Sequence, residues 1–187
     1  GPLSSVAKVV SEAPELASKI NKIVWMGGAL HVKGNVSQCD APHHDESAEW
    51  NSYCDPQAVH TVWNAVNGSI PVVMCPLDVT QYVPVTHDFL DQIKSVSGSN
   101  NTPILELAWN AYSEVLEMYQ VELWDVLTTI FLAHPEYFES EIIETEVDAT
   151  GKSQGRIRAQ KGGRKVQVLL KVNPQLIYHY IIQQWSS

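Results

Sequence analysis

The chain has 187 residues, 44% of them hydrophobic, which is enough to build the core of one ordinary globular domain. Its 21 acidic residues outnumber 12 basic ones, giving a net charge of -9, and this argues against a nucleic-acid-binding surface, which needs clustered Lys and Arg. No apolar run reaches transmembrane length, so no membrane partner is expected either.

The elements follow from hydrophobic spacing. Pro2 suits a first helical turn, and Leu3, Val6, Ala7 and Val10 recur at helical period, so the opening residues read as a helix. KIVWM (22 to 26) is a short apolar run closed by Gly27 and Gly28, the pattern of a buried parallel strand running into a loop. Residues 31 to 51 lack periodicity and are rich in Gly, Ser, Asp and His, which predicts a long loop of the kind that carries function. DPQAVHTVWNAV (55 to 66) is a helix capped by Asp55, with Pro56 in its first turn and Val59, Val62, Trp63 and Val66 along one face. IPVVMC (70 to 75) is a second buried strand.

Strand, loop, helix, strand is the βαβ arrangement of a doubly wound sheet, whose ligands sit beyond the carboxyl ends of the strands. WMGGAL and CPLDVT both lie at such ends. Helices are predicted over 87 to 96, 103 to 119 and 125 to 133, with Asp125 a candidate cap for the third. Past Pro135 the segments EIIETEVDA, GRIRAQ and KVQVLLKV alternate or carry branched residues and read as antiparallel strands, before a closing helix from Pro174 to Trp185. The locally basic segment from Lys152 to Lys171 interleaves charge with these strands and reads as a solvated face.

Polar clusters are ambiguous when taken alone. Glu49, Trp50 and Asn51 in AEWNSYCDP could grip a polyol, cap a helix, or do both. Asp55 and Asp78 read as structural, through capping or loop hydrogen bonds, and Met26 as core. His43 and His44 beside Asp40 and Asp45 carry metal-ligand chemistry, but in a polar loop a solvated cluster is the simpler reading. Cys39, Cys54 and Cys75 lack C-x-x-C spacing, so a zinc or redox pair is not indicated, while one disulfide plus a thiol stays open. Asn35, Asn67 and Asn100 begin N-x-S/T triplets, the last weakened by Pro103, and they would accept glycans only in a secretory pathway. Cytoplasmic and secreted locations both stay open.

GPLSSVA, VWMGGA, Gly34-Asn35, AEWN with Asp55-Pro56, PLDVT (76 to 80) and LWDVLTTIFL (123 to 132) occur in the order found in nucleoside hydrolases of the inosine-uridine-preferring type, which the whole chain resembles. The resemblance implies an open, mostly parallel α/β sheet of Rossmann type with flanking helices and a small antiparallel β segment near the C-terminus. It implies hydrolysis of the N-glycosidic bond of ribonucleosides with Ca2+, a cation suited to holding water and two vicinal ribose hydroxyls on many oxygen ligands. Positive charge develops on the sugar, so nearby carboxylates assist, and an Asp deprotonates the metal-bound water.

Position by position, Asn35 resembles the loop amide facing the sugar, Glu49 and Asn51 the residues holding its hydroxyls, Met26 a contact beneath it and Trp50 a family aromatic. Asp125 matches a calcium-ligating carboxylate. Family members resemble homodimers or tetramers, so a homo-oligomer is expected.

Two departures stand out. The family's opening strand and its D-x-D-x-x-x-D-D loop, source of the catalytic base and of most calcium carboxylates, have no counterpart here, and neither has the backbone carbonyl ligand that would precede Gly1. The expectation is therefore that residues 1–187 form the C-terminal part of a single nucleoside hydrolase domain, lack its first strands and any catalytic residue, are inactive alone, and depend on a companion N-terminal segment or chain. The second departure is Trp124, which stands where better-known members place a His that protonates the leaving base. Indole is no acid at working pH, though it can stack on a base. Two alternatives remain: a non-catalytic binding protein that keeps the fold, and a hydrolase of a related ribosyl compound.

Overall fold

The computed structural model describes the main chain of residues 1–39, 42–100 and 103–186, and their side chains except at 38, 39, 66, 67 and 98–100. In chain order the elements are α1 (Ser4–Glu12), α2 (Pro14–Ala17), β1 (Ile23–Met26), α3 (Trp50–Cys54), α4 (Pro56–Asn64), β2 (Val72–Cys75), α5 (Leu77–Thr80) and α6 (His87–Asn100). They continue with α7 (Pro103–Leu116), α8 (Val126–Ala133), β3 (Phe138–Val147), β4 (Ile157–Ala159), β5 (Arg164–Val172) and α9 (Pro174–Trp185). The chain forms two compact units, Gly1–Val79 with Glu139–Lys171, and Thr80–Phe138 with Val172–Ser187.

The first unit is built on a five-stranded sheet in the order β1-β2-β5-β3-β4. β1 and β2 pair in parallel from Ile23↔Val72 to Met26↔Cys75, as two short apolar runs separated by a helix should. Asp55 caps α4 by accepting from the Ala58 N–H at 2.9 Å, and Pro56 opens the helix. That start turns Ala58, Val59, Val62 and Trp63 inward against α1, which contributes Ala7 and Val10. Trp25 and Trp63 meet edge to face with centroids 5.9 Å apart, and the Trp63 Nε1–H donates to the buried Thr145 hydroxyl at 3.0 Å.

The fold class is as expected, an α/β sheet with parallel and antiparallel pairs, but the strand from Lys165, expected among antiparallel strands, also has a parallel neighbour. β5 pairs in parallel with β2, Val73 opposite Gln167 and Met74 opposite Val168. Its Val166, Val168 and Leu169 are all buried, as befits an interior strand covered on both faces. On its other side β5 neighbours β3, with Thr145 bonded to Arg164 near one end and Glu139 paired with Lys171 near the other, so these two run antiparallel, as do β3 and β4 from Thr145↔Ala159 to Val147↔Ile157.

The basic segment likewise divides. Arg158 bonds Glu146 at 2.6 Å and Asp148 at 3.3 Å on the surface. Arg164 instead folds inward, donating to the carbonyls of Val62 (2.9 Å), Trp63 (2.5 Å) and Ile70, so that it clamps the end of α4 to the entrance of β2. A cation at a helix C-terminus is favourable, and its partners lie about a hundred residues away in sequence, which is why periodicity could not find it.

The second unit is helical. Thr86 caps α6 by accepting from the Phe89 N–H at 3.1 Å, and Asn173 caps α9 through the Gln175 N–H at 3.0 Å. Phe89 stacks on Tyr178 at 4.6 Å, and the Tyr178 hydroxyl donates to the Pro84 carbonyl at 2.5 Å. The short helices α2 and α5 carry too few residues for a periodic signal and were not anticipated.

Replacing Arg164 with Met keeps the side-chain length and removes all three carbonyl bonds. Urea denaturation is expected to show a loss of roughly 3 kcal/mol, the scale of charge-assisted bonds lost from a half-buried site. A loss below about 0.5 kcal/mol would mean that the clamp carries no stability.

Candidate active site

β1 ends at Met26, and the chain then passes Gly27 and Gly28. Gly28 has φ +85°, a conformation that side chains rarely adopt. This turn exposes the Gly28 N–H to Glu49, whose carboxylate accepts from it at 3.0 Å. The same carboxylate accepts from Asn51 N–H at 2.8 Å and Ser52 N–H at 3.1 Å, which makes Glu49 the N-cap of α3. Glu49 is only 2% exposed. Trp50 and Asn51 therefore open a helix rather than end a loop, because Glu49 supplies the acceptor that the first turn lacks.

Burial pushes the Glu49 carboxyl above its ordinary value of 4.5, while the bonds from Asn51, Gly28 and Ser52 pull it back. Three bonds occupy two carboxylate oxygens, which leaves one acceptor position on Oε1.

Asn51 turns its Nδ2 to the Met26 carbonyl at 3.2 Å and to the Met26 sulfur at 3.5 Å. Its Oδ1 is left as an acceptor. Asn35 accepts from the Trp50 N–H through Oδ1 at 2.8 Å and has its own N–H bonded to the Ala48 carbonyl at 3.2 Å. These bonds bring Met26, Asn35, Glu49, Trp50 and Asn51 together at the carboxyl end of β1. Gly34 makes the approach possible, because a Cβ there would lie 1.9 Å from the Ala48 carbonyl oxygen. Met26 itself is buried, and Trp50, 37% exposed, stacks on Tyr53 with centroids 6.4 Å apart.

Asp78 closes the neighbouring loop by accepting from Leu30 N–H at 2.9 Å and His31 N–H at 2.8 Å, the structural role expected of it. A tie absent from the sequence reading runs from Asp45, which accepts from Ser47 and from the Ser153 hydroxyl at 2.5 Å. Burial nudges its carboxyl upward, but the Ser153 and Ser47 bonds and nearby Arg156 hold it below the ordinary value. Ser52 was also missed. It is fully buried and donates to the Glu49 carbonyl at 2.8 Å, a role that only the cap at Glu49 would have revealed.

Trp124 and Asp125 belong to the second unit. Asp125 is exposed and occupies the N-cap position of α8, but its side chain makes no capping bond, contrary to the expected cap. Its backbone is already helical and its carbonyl, not its carboxylate, accepts from Thr128 N–H at 3.1 Å. Trp124 is half-buried.

His44 accepts from Glu46 N–H through Nδ1 at 3.2 Å, while Asp40 lies outside the described residues. Among the described residues no group of three His, Cys, Asp or Glu side chains is placed to hold a metal ion. Asn35 of the first sequon is engaged with Trp50, whereas the side chains of Asn67, Asn100 and Cys39 lie outside those described. Cys54 is exposed and Cys75 buried. No described helix is long and apolar enough to cross a membrane.

Comparison with known proteins places this geometry in context. The family model described as inosine-uridine preferring nucleoside hydrolase matches residues 1–179. A pyrimidine-specific ribonucleoside hydrolase, RihA, of Escherichia coli O8 (strain IAI1) is 33% identical over 164 residues, 83% of this chain and 48% of the relative. The crystal structure of an inosine-uridine preferring nucleoside hydrolase from Bacillus anthracis superposes with a TM-score of 0.87 at 35% identity, covering 100% of this chain and 58% of the other. A purine-preferring ribonucleoside hydrolase from Gardnerella vaginalis superposes with a TM-score of 0.78 at 26% identity, covering 100% and 58%. The chain thus spans about half the length of the curated relatives it matches.

Because folding holds the Glu49 carboxyl above 4.5, the native chain binds more protons than the unfolded one from that pH upward, so this group's contribution declines as pH rises through the raised value. Glu49→Gln removes the titration and is expected to lose roughly 2 kcal/mol at acid pH, with the deficit shrinking as pH rises. Chemical denaturation of both proteins across that range checks it, and a deficit that grows with pH would reverse the sign.

Proposed function

Since the chain belongs to the inosine-uridine preferring nucleoside hydrolase family, we propose that it is the C-terminal part of a single nucleoside hydrolase domain that cleaves the N-glycosidic bond of ribonucleosides to base and ribose. The observation that carries this reading is the cluster at the carboxyl end of β1, where ligands of such sheets bind. Asn51 offers Oδ1, Asn35 offers Nδ2 and Glu49 one oxygen position, a set able to meet sugar hydroxyls while the remaining atoms are fixed by backbone bonds. Glu49 thereby caps α3 and grips the ribose. Met26 sits beneath the sugar as a buried wall, and Trp50 and Trp124 offer aromatic faces to ribose or base.

The metal is Ca2+ in this proposal, with Asp125 as one ligand. A hard dication takes six to eight oxygens, so the donors among the described residues do not fit it by themselves. Further carboxylates, the catalytic base among them, come from a companion segment or chain, and this polypeptide alone is inactive. A homo-oligomer is the proposed assembly.

A base-release assay tests the reading. Uridine, inosine and adenosine are incubated with the chain alone and with the Asp-rich N-terminal portion of a relative, in calcium or chelator. The expected result is release only in the combined, calcium-containing arm, and a drop of at least about a hundredfold in kcat/KM on Asn51→Ala. Release by the chain alone in chelator contradicts the metal and companion parts. Nucleoside binding without release in every arm gives the lead to the non-catalytic binding reading.

A further inference from the structure

Besides the cluster at the carboxyl end of β1, the first unit has a cleft of about 390 Å³ whose lining includes His60, Thr145, Glu146, Lys161, Gly162 and Arg164. It lies at the amino ends of β2 and β5, since Arg164 opens β5 and bonds the Ile70 carbonyl just before β2. Because β1, β2 and β5 run parallel, this is the opposite edge of the sheet from Glu49 and Asn51. Its volume is within the range of small-molecule sites.

The charge in the cleft is out of balance. All partners of Arg164 are neutral carbonyls, and its buried Nε has no partner at all. The carbonyls at the end of α4 offset part of the guanidinium charge, but none is a formal anion. The one carboxylate among the lining residues, Glu146, is held by Arg158 at 2.6 Å, and a second, Glu144, accepts from the Gly162 N–H at 2.8 Å. Lys161, exposed at the rim, has no carboxylate within ion-pair distance among the described residues, and His60 adds an exposed imidazole whose ring N–H can donate a hydrogen bond. At Gly162 a side chain would meet no atom within 4 Å, so the turn between β4 and β5 leaves open space beside this charge. In a chain of net charge -9, a guanidinium bonded only to carbonyls and a lysine outside any described ion pair share one cleft, and although Glu144 offsets part of their charge they form a local well for an anion.

We propose that this cleft binds a phosphate group, free or as the monoester of a small molecule, with Lys161 and His60 as the direct contacts and Arg164 as the fixed charge behind them. The site is separate from the nucleoside reading and stands or falls without it.

Calorimetric titration of the chain with inorganic phosphate and, in a second arm, methyl phosphate, a monoester without a sugar, both at constant ionic strength, tests the proposal together with amide chemical-shift mapping. Saturable one-to-one binding is expected, with shifts confined to residues 60–64, 145–147 and 160–164. Lys161→Glu, at an exposed position, is expected to weaken it at least tenfold, and Lys161→Gln by less. Asp125→Asn should leave it unchanged. Equal affinity in the two arms identifies the free anion, and tighter binding of the ester identifies the monoester. Absence of saturation in both arms, shifts centred elsewhere, or indifference to both Lys161 substitutions would overturn the assignment.

Discussion

The candidate site depends on a buried carboxylate bonded to three backbone amides. Glu49 joins the turn after β1, through Gly28, to the first turn of α3, through Asn51 and Ser52. A charge so placed is costly unless its lone pairs are met, and amides that ended a strand or began a helix without an acceptor would be costly too. Each deficit is answered by the other. The arrangement fixes the main chain at 26–28 and 49–52 together, and Asn51 reaches the Met26 carbonyl because of it.

Around that bond the geometry follows by necessity. The chain must return from the loop close enough for Gly34 to lie against Ala48, and only a residue without a side chain fits there. Asn35 then reaches the Trp50 N–H, and Asp78 takes up the amides of Leu30 and His31. The parallel strands give the unit two chemically different edges. The carboxyl edge gathers neutral amides and one buried carboxylate, whereas the amino edge carries Arg164, bonded only to carbonyls, and the exposed Lys161. A polyol suits the first and an anion the second.

Much of this was legible in the residues. Asp55-Pro56 announced a capped helix and KIVWM a buried strand, because caps and apolar runs act over a few positions. The order of AEWN, PLDVT and LWDVLTTIFL carried the family. Strand direction was not legible, since β5 looks the same in sequence whichever neighbour it meets, and its parallel pairing with β2 is set by tertiary packing. Arg164 read as one charge among several, for its carbonyl partners stand far off in the chain. Asp125 has the residue type of a cap yet uses its carbonyl instead, a matter of backbone angles that composition does not encode. AEWN posed the choice between cap and grip, and the three amide bonds establish the cap.

The most direct test of this account is native-state hydrogen exchange at the amides of Gly28, Asn51 and Ser52. If one carboxylate ties the strand end to the helix start, all three are protected and exchange with a common opening free energy, as members of one cooperative unit. Fast exchange at Asn51 and Ser52 beside a protected Gly28, with the helix fraying independently of the strand, would contradict it.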